Sequence, residues 1–469
     1  MTSFAGSFSS LPVLRIGLDM TRGGEVVCAL GGREWRCTTS ELALPDHFER
    51  RIERSGGYSF QFPARVVDQI RGHLADEAPG QPLWLHLERP AGYLGAVPWE
   101  RLLQPGLGVP VLRLPVIEAG LPRETPGTLE VLLCASGPVA KEPIDVAPTL
   151  RMMVDQIRGQ VPRRVRIHVF TDQEFQGALP PEWTRGGALA GGEVIVHDPQ
   201  GAARFAIPEA HERVSEVKDR LESPWLLWMR QALRGRSVDV AHFLCHGYLS
   251  FDRGALSFSE SPLENQDRRS ARFVGVHELN TFLTQVGAWS TAFSSPENNY
   301  SEVGLRLLAD SVAQARPGPL LIHDLPRDPG CVGLGAACRF LYAPFPEIPP
   351  ASPALAIQCQ PSRVAREVVV MRGGLESFAA GAPAELPPPG SSAESAETDP
   401  LAQVFSTAEN VPTWVAAATR YVEQQAVRLQ ENEEAVPAES RRSGQATDTL
   451  RQIRDIIAEI AGRGSGGGS

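Results

Sequence analysis

The sequence predicts an α/β fold: a mostly parallel sheet with helices on both of its faces. Between residues 127 and 380, short apolar segments of strand length alternate with amphipathic segments of helix length. That alternation is typical of right-handed crossovers between parallel strands. Glycine and proline separate the segments, as expected for the connecting loops. Residues 1–125 are predicted to form a smaller α/β half in front of this domain.

Hydrophobic periodicity places the individual elements. In the amino-terminal half, the predicted strands are Val13–Leu18, Glu25–Leu30 and Pro82–Leu87, and the predicted helix is Pro63–Leu74. In residues 127–380, the predicted strands are Leu129–Ala135, Val165–Phe170, Glu193–His197, Val238–Cys245, Gly287–Phe293, Pro319–His323 and Val368–Met371. The predicted helices there are Thr149–Arg158, Glu212–Leu233 with Trp225 and Trp228 in the core, His277–Leu283, Ser301–Ala315 and one that ends at Tyr342.

The carboxyl-terminal part differs in composition from the rest. Residues 381–400 are rich in Pro, Ala, Ser and Glu and are predicted to be a linker. Residues 401–463 contain two amphipathic helical patterns, one after Pro412 and one over Thr449–Ala461 with an isoleucine stripe. Such a stripe behind a linker favours docking onto a protein partner, and folding back onto the sheet domain is the alternative. Residues 464–469 resemble a Gly/Ser linker or tag.

Charge and composition exclude several classes of function. The 469-residue chain has a net charge of −10, so a phosphate-neutralising surface for nucleic acid is not expected. No apolar run reaches about 18 residues, so no membrane span is expected. The first residues lack the pattern of a secretory signal, which predicts a cytoplasmic location. Seven cysteines without a CxxC pair indicate neither a disulfide framework nor a structural zinc site. No cofactor is expected.

Two strand ends carry the residues that suggest chemistry. His246 and Gly247 follow the strand Val238–Cys245, and Ser294 follows the strand Gly287–Phe293. Parallel sheets place their reactive groups at the carboxyl ends of the strands. If these two strands are neighbours in the sheet, they are about 4.8 Å apart. His246 and Ser294 would then lie side by side at the carboxyl ends of the strands, where they could act as base and nucleophile. Gly247 is expected to permit the sharp turn that exposes the imidazole. A structural histidine is the alternative.

Further candidates have simpler alternatives. Asp324 and Asp328 flank the end of a strand, where they either line a pocket for basic side chains or act as solvated loop acids and helix caps. Arg306 is an available partner for either of them. Cys245 is expected to pack away from the histidine as a small buried hydrophobe. His242 is expected to be structural rather than a metal ligand.

An ordered set of motifs around His246 resembles the CHAT family, caspase-related proteins of bacterial signalling and defence systems, over residues 60–345. The matching segments are Pro82–Arg89, Val97–Leu103, Ala241–Gly247, Gly254–Phe258 and Leu320–Tyr342. The resemblance implies a caspase-like α/β fold and, in active members, a Cys–His endopeptidase. It implies that His246 takes the position of the family's histidine.

The nucleophile position departs from the family pattern. Ser294 occupies the position where the resemblance implies a cysteine, and no cysteine lies between Cys245 and Cys331. A hydroxyl needs closer contact with a base than a thiol does. Three interpretations remain open: a pseudoenzyme, an inactivating Cys-to-Ser replacement and an unusual serine nucleophile. We expect a catalytically silent caspase-like module that acts through protein partners, with an endopeptidase acting on a peptide or protein as the alternative.

Overall fold

The computed structural model describes residues 11–19, 25–44, 60–88, 91–115, 127–138, 143–185, 193–205, 221–250, 253–263, 271–296 and 299–364. Residues 1–367 form one compact unit and residues 368–469 a second. The predicted strand Val368–Met371, the linker 381–400, the helices of 401–463 and the segment 464–469 lie outside the described residues.

Strands and short helices alternate along the described part of the first unit. The strands are β1 (Val13–Asp19), β2 (Glu25–Leu30), β3 (Arg33–Cys37), β4 (Leu83–Leu87), β5 (Val111–Arg113), β6 (Thr128–Ala135), β7 (Arg164–Thr171), β8 (Thr184–Arg185), β9 (Val194–Val196), β10 (Val240–Leu244), β11 (His246–Ser250), β12 (Arg253–Ser259), β13 (Ala271–Gly275), β14 (Ser290–Ser295), β15 (Leu320–Asp324) and β16 (Leu355–Gln358). The α-helices are α1 (Ala64–Glu77), α2 (Trp99–Leu107), α3 (Val146–Gln160), α4 (Gln173–Gln176), α5 (Pro224–Ala232), α6 (Val276–Gln285), α7 (Asn299–Ala315) and α8 (Val332–Tyr342).

The predicted α/β class with a mostly parallel sheet is confirmed. Within the described ranges, thirteen strands form one sheet in the order β3-β2-β1-β4-β5-β16-β15-β14-β10-β6-β7-β9-β8. The block β6, β7, β10, β14 and β15 is parallel throughout. A second sheet, antiparallel, contains β11, β12 and β13.

The strand β16 joins the two halves of the chain. It pairs antiparallel with β15 and parallel with β5, so residues 11–115 and 127–364 contribute to one continuous sheet. The predicted boundary between residues 125 and 127 therefore falls between β5 and β6 of that sheet. The sequence analysis did not find β16, because its four residues are too short to show a period.

Helices cover both faces of the parallel block. On one face, α3 and α8 pack against alternate strand residues, among them Leu133, Leu244 and Ala292. On the other face, α5, α6 and α7 pack against the intervening residues, among them Phe243 and Phe293. Trp225 and Trp228 lie in this second cluster, which confirms the prediction that they are core residues.

Three predicted elements near the candidate site had wrong boundaries. Of the helix predicted over Glu212–Leu233, residues 212–220 lie outside the described residues and residues 221–223 are not helical. The helix begins at Pro224, whose fixed φ suits a first helical position. The strand predicted over Gly287–Phe293 starts at Ser290, because Gly287 adopts a left-handed φ of 67° in the turn after α6. It continues to Ser295, so Ser294 lies inside the strand. The strand Val238–Cys245 ends at Leu244.

Gly247 has a different role from the predicted turn. His246 and Gly247 are the first residues of β11, and the hairpin of β11 and β12 lies directly on α7. A Cβ atom at Gly247 would stand 2.1 Å from the carbonyl oxygen of Ser301, and one at Gly254 would stand 1.9 Å from that of Gly304. Glycine is therefore needed for the close approach of the strand backbones to the helix, and this approach places His246 beside α7.

A buried network of ion pairs links the amino-terminal half to α7. Glu100, fully buried in α2, accepts a bond from Arg113 at 2.5 Å and one from Arg306 at 3.4 Å. Arg306 also donates to Glu302 at 2.9 Å, and Arg101 lies 3.2 Å from the same carboxylate. Removing one member would leave an uncompensated buried charge and would lower the free energy of unfolding by about 3–5 kcal/mol. The network thus holds α2 against the helix that contacts His246.

Candidate functional site

The strand β10, which ends just before His246, and the strand β14, which carries Ser294, are neighbours, as predicted. β10 runs parallel to β14, with Leu244 level with Ser294, and β14 runs parallel to β15, with Ser294 level with His323. Ser294 therefore lies two positions before the level of His246. Since residues at alternate positions share a face, the Ser294 side chain belongs to the face covered by α3 and α8.

The Ser294 hydroxyl lies between two imidazoles. Its Oγ atom is 2.8 Å from Nε2 of His242 and 3.0 Å from Nδ1 of His323, and Nε2 of His323 is 3.1 Å from Oδ2 of Asp328. Ser294 and His323 are fully buried, and His242 is 1% exposed. The hydrogen bonds of Ser294 thus join it to His242 and His323 rather than to His246.

Hydrogen-bond chemistry assigns one direction to this row when His323 is neutral. The carboxylate of Asp328 accepts only, so it receives the Nε2–H of His323. A neutral His323 then accepts at Nδ1, which makes Ser294 the donor to it and leaves the Ser294 oxygen to accept from Nε2–H of His242. Burial, with His323 nearby, lowers the pKa of His242 to about 3, which keeps that ring neutral.

His246 lies on the other side of the sheet from this row. It is 6% exposed, and its Nδ1 atom is 3.5 Å from Oγ of Ser301 in the first turn of α7. The backbone N–H of Gly247 donates to the same hydroxyl. Ser301 is therefore the hydroxyl that the described residues place near the imidazole of His246. Sequence reasoning missed it because it lies in a helix and not at a strand end.

The residue after Ser294 belongs to the α7 side of the sheet by the same alternation. Ser295 is 1% exposed, and its hydroxyl donates to the carbonyl oxygen of Pro296 at 3.2 Å. The two serines of β14 thus face opposite layers, and neither is bonded to His246.

None of the cysteines offers an accessible thiol. All seven lie in the described part of the chain, and all are free and buried. Burial raises the pKa of every one of them. Cys245, next to His246, packs in the core cluster with Phe243, which confirms the prediction that it is a buried hydrophobe.

The two aspartates near β15 have partners of their own. Asp324, 6% exposed, accepts from Arg327 at 2.7 Å and lies 3.5 Å from Arg101, so it is not a solvated loop acid.

Asp328 accepts from His323 and from the backbone N–H of Leu334 at 2.9 Å in the first turn of α8, which is the capping role weighed above. Burial opposes its ionisation, but these bonds hold the pKa of Asp328 below its ordinary value. Arg306 bonds to Glu302 and Glu100 instead.

A further carboxyl at the sheet edge escaped the sequence analysis. Asp172 follows β7, is 5% exposed, and accepts from the Gly137 N–H at 3.0 Å and from the Ser259 hydroxyl. The Ser259 N–H in turn donates to Ser136 at 2.9 Å. These bonds fasten the end of β12 over the carboxyl ends of β6 and β7. Burial raises the pKa of Asp172 to about 7.

In the described ranges, no group of three or more His, Cys, Asp or Glu side chains is arranged to hold a metal ion. No helix in this part of the chain combines the length and the apolar character needed to cross a bilayer.

Comparisons with known proteins give no relative from which to transfer a function: no family model, no curated protein and no solved structure matches the chain.

Replacing Ser294 with alanine tests the structural role of its hydroxyl. The variant Ser294→Ala leaves a nitrogen of His242 and one of His323 without a partner in the core. We expect the free energy of unfolding to fall by about 1–3 kcal/mol in denaturant titrations. Ser295→Ala is the matched control and should lose less than about 1 kcal/mol, because its hydroxyl bonds only to the adjacent carbonyl. Equal losses in the two variants would contradict the assignment.

The raised pKa of Asp172 predicts a pH dependence of stability. The folded protein binds a proton with a pKa of about 7, whereas the ordinary value is 3.8. Between pH 3.8 and about 7 the folded protein binds this proton and the unfolded chain does not, so the stability that the group contributes falls as the pH rises. Below this range the contribution is complete, and above it the stability no longer changes with pH through this group. Asp172→Asn should remove this component, worth up to ~1.4 kcal/mol per pH unit.

The measurement is the free energy of unfolding at several pH values from 4 to 8. The difference between the wild type and Asp172→Asn should grow with pH across this window. The exposed residue Asp76 provides the control, because Asp76→Asn removes the same charge without emptying a buried carboxyl site. A constant difference between the wild type and Asp172→Asn would refute the assigned burial effect.

Proposed function

We propose that the chain is a catalytically silent, caspase-like module of the CHAT type that acts through protein partners in a bacterial signalling or defence system. One observation carries the proposal. The hydroxyl in the predicted nucleophile position, that of Ser294, is fully buried and bonded to His242 and His323 on the face opposite His246. A base cannot activate a hydroxyl with which it shares no hydrogen bond, and a substrate carbonyl cannot reach one inside the core.

The state of the cysteines supports the same conclusion. Thiolate chemistry needs an exposed sulfur with a lowered pKa, and every cysteine in this chain is buried with a raised one. The hydrogen bonds of Ser294 also favour a native serine over a replaced cysteine. A thiol is a weak donor and acceptor, so it would satisfy the two imidazoles poorly.

The caspase-like part of the proposal rests on the resemblance and on the order of the strands. His246 follows a central parallel strand, and its neighbour β14 carries the predicted nucleophile position. The motif residues Trp99 and Glu100 are fully buried, and Glu100 anchors the ion pairs to Arg306 of α7. This arrangement gives the matching segment Val97–Leu103, which contains both residues, a physical role in holding the amino-terminal half to the site.

Partners are proposed to bind through the amphipathic helices that the sequence predicts in residues 401–463. The isoleucine stripe of the second predicted helix suits a groove or a helical bundle. The net charge of −10 favours proteins over nucleic acids as partners. We place the module in the cytoplasm.

A serine endopeptidase is the second candidate. It is favoured by the distance of 3.5 Å between Nδ1 of His246 and Oγ of Ser301, which is just beyond a strong hydrogen bond. Ser301 is 1% exposed and already accepts from the Gly247 N–H. This reading would therefore require α7 to move before a substrate could bind.

Chemical reactivity distinguishes the two candidates. A fluorophosphonate probe phosphonylates serines that a neighbouring base activates: the serine oxygen bonds to phosphorus and fluoride leaves. We expect no labelled peptide containing Ser294 or Ser301 when the full chain is digested and analysed by mass spectrometry, while a serine hydrolase in the same tube is labelled. We also expect Phe293→Cys, Ser294→Cys and Ser295→Cys to cleave neither themselves nor a co-expressed partner. Labelling of either serine, or cleavage by one cysteine variant, would establish the endopeptidase.

Deletion of residues 401–469 tests the partner contact. A protein that co-purifies with the full chain should be lost from the truncated chain, because the isoleucine stripe is removed. The thermal melt of residues 1–400 should match that of the full chain, since the core of the first unit ends before residue 368. A truncated chain with an unchanged melt that still retains its partner would show that the tail is not the docking element.

A further inference from the structure

The last residue of β12 and the four residues after it lie across the carboxyl ends of β6 and β7. We call residues 259–263 the cover segment. The backbone N–H of Ser259 donates to Oγ of Ser136, just after β6, at 2.9 Å. The carbonyl oxygen of Pro262 accepts the N–H of Gln173, just after β7, at 2.8 Å. Ligands of parallel sheets bind at the carboxyl ends of the strands, so the cover segment lies over an edge of that kind.

The hydroxyl of Ser259 faces more acceptors than it has protons. Its Oγ atom is hydrogen-bonded to Oδ1 of Asp172 and lies 3.1 Å from the carbonyl oxygen of Ser261. The hydroxyl of Ser136 donates to the same Oγ atom at 3.2 Å. A serine hydroxyl has a single proton to donate, so Ser259 can donate either to the carboxylate or to the carbonyl, but not to both.

A proton on Asp172 removes this conflict. The protonated carboxyl donates to Oγ of Ser259, and Ser259 is then free to donate to the carbonyl oxygen of Ser261. An ionised carboxylate only accepts, so it takes the Ser259 proton and the Ser261 carbonyl loses this donor. The N–H of Gly137 bonds to Oδ2 of Asp172 at 3.0 Å and is compatible with both states. The protonated state therefore gives the cover segment one more hydrogen bond than the ionised state does.

The surroundings of Asp172 favour its protonated state. The side chain is buried, and burial raises the pKa of the carboxyl to about 7 in spite of the hydrogen bonds from Ser259 and Gly137. The neighbouring carboxylate of Glu174 in α4 adds to this rise in pKa. Cys134 of β6 also interacts with Asp172, but burial raises the pKa of its thiol, so it stays neutral. The charge of Asp172 therefore changes close to neutral pH.

We propose that Asp172 and Ser259 form a proton-dependent latch: a proton on Asp172 fastens the cover segment over the carboxyl ends of β6 and β7, and loss of that proton loosens it. A rise in pH then uncovers this edge of the sheet more often. The two side chains would make the accessibility of the edge responsive to the pH around the protein.

The latch adjoins the strand that leads to His246. The backbone N–H of Ser136 donates to the carbonyl oxygen of Leu244, the last residue of β10, at 3.0 Å. The inference goes beyond the proposed function and does not depend on it. It uses neither His246 nor Ser294, and it holds equally for a silent module and for an enzyme.

Hydrogen–deuterium exchange of the full chain between pH 5 and pH 8 tests the latch. The reporters are the backbone amides of Gly137, Gln173 and Ser259, with rates corrected for the pH dependence of exchange in an unstructured chain. The closed latch binds its proton with a pKa of about 7, whereas the ordinary value for an exposed carboxyl is 3.8. The opening equilibrium should therefore rise up to about tenfold per pH unit between pH 5 and 7, and level off above.

Variants assign the effect to the two side chains. In Asp172→Asn, the amide donates to Ser259 and its oxygen accepts from Gly137, as in the protonated acid, so the reporters should keep their low-pH protection at every pH. Asp76→Asn, at an exposed position, is the matched control and should exchange as the wild type does. Ser259→Ala breaks the link, so protection at pH 5 should fall roughly tenfold. This variant serves if Asp172→Asn does not fold.

Three results would overturn the proposal. One is a wild type whose corrected exchange does not change with pH. Another is a pH dependence that Asp172→Asn retains, which would place the titrating group elsewhere. The third is an equal change in the amides of β1, which would show that the whole unit unfolds and that the latch does not open locally. None of them bears on the reactivity of Ser294, so the proposed function is tested separately.

Discussion

The hydroxyl of Ser294, held between His242 and His323, is the contact on which the rest of this account depends. It joins the three central parallel strands β10, β14 and β15 across their carboxyl ends. Asp328 orients His323, and His323 in turn orients the Ser294 hydroxyl. The half-buried carboxylate of Asp328 thereby influences which way the hydrogen bond between Ser294 and His242 runs. Such a row stabilises the sheet only when each of its polar groups has a hydrogen-bond partner. A Ser294 hydroxyl that both imidazoles need as a partner is poorly suited to act as a nucleophile.

The opposite face of the sheet holds His246 by different means. The glycines at 247 and 254 allow the hairpin of β11 and β12 to lie on α7, and the ion pairs of Glu100 hold α7 against the amino-terminal half. The candidate base and the candidate hydroxyl are thus built into separate layers of the molecule. A displacement of the amino-terminal half would be transmitted to His246 through Arg306 and α7. Ser294 is instead connected to α8, through His323 and Asp328. The separation explains why adjacent strands do not make an adjacent catalytic pair.

The sequence was sufficient for the class of fold, for most central strands and for the neighbouring positions of β10 and β14. It was not sufficient for the position of Ser294 relative to β14. The strand continues to Ser295, so Ser294 lies inside the sheet and not in the turn after it. Alternation along the strand then places its side chain on the same face as Ala292, under α3 and α8. Asp172 and Ser301 were missed because tertiary packing, and not a local sequence pattern, brings their hydrogen-bond partners to them.

The protonation of the two imidazoles tests the central claim most directly. In a chain labelled with ¹⁵N at histidine, the ring nitrogens report which atom carries the proton in a neutral imidazole. At a pH where both rings are neutral, the row predicts a proton on Nε2 of His323 and on Nε2 of His242, and Ser294→Ala should disturb both signals. A proton on Nδ1 of His323, or rings that do not respond to the loss of the hydroxyl, would contradict a Ser294 fixed in the core.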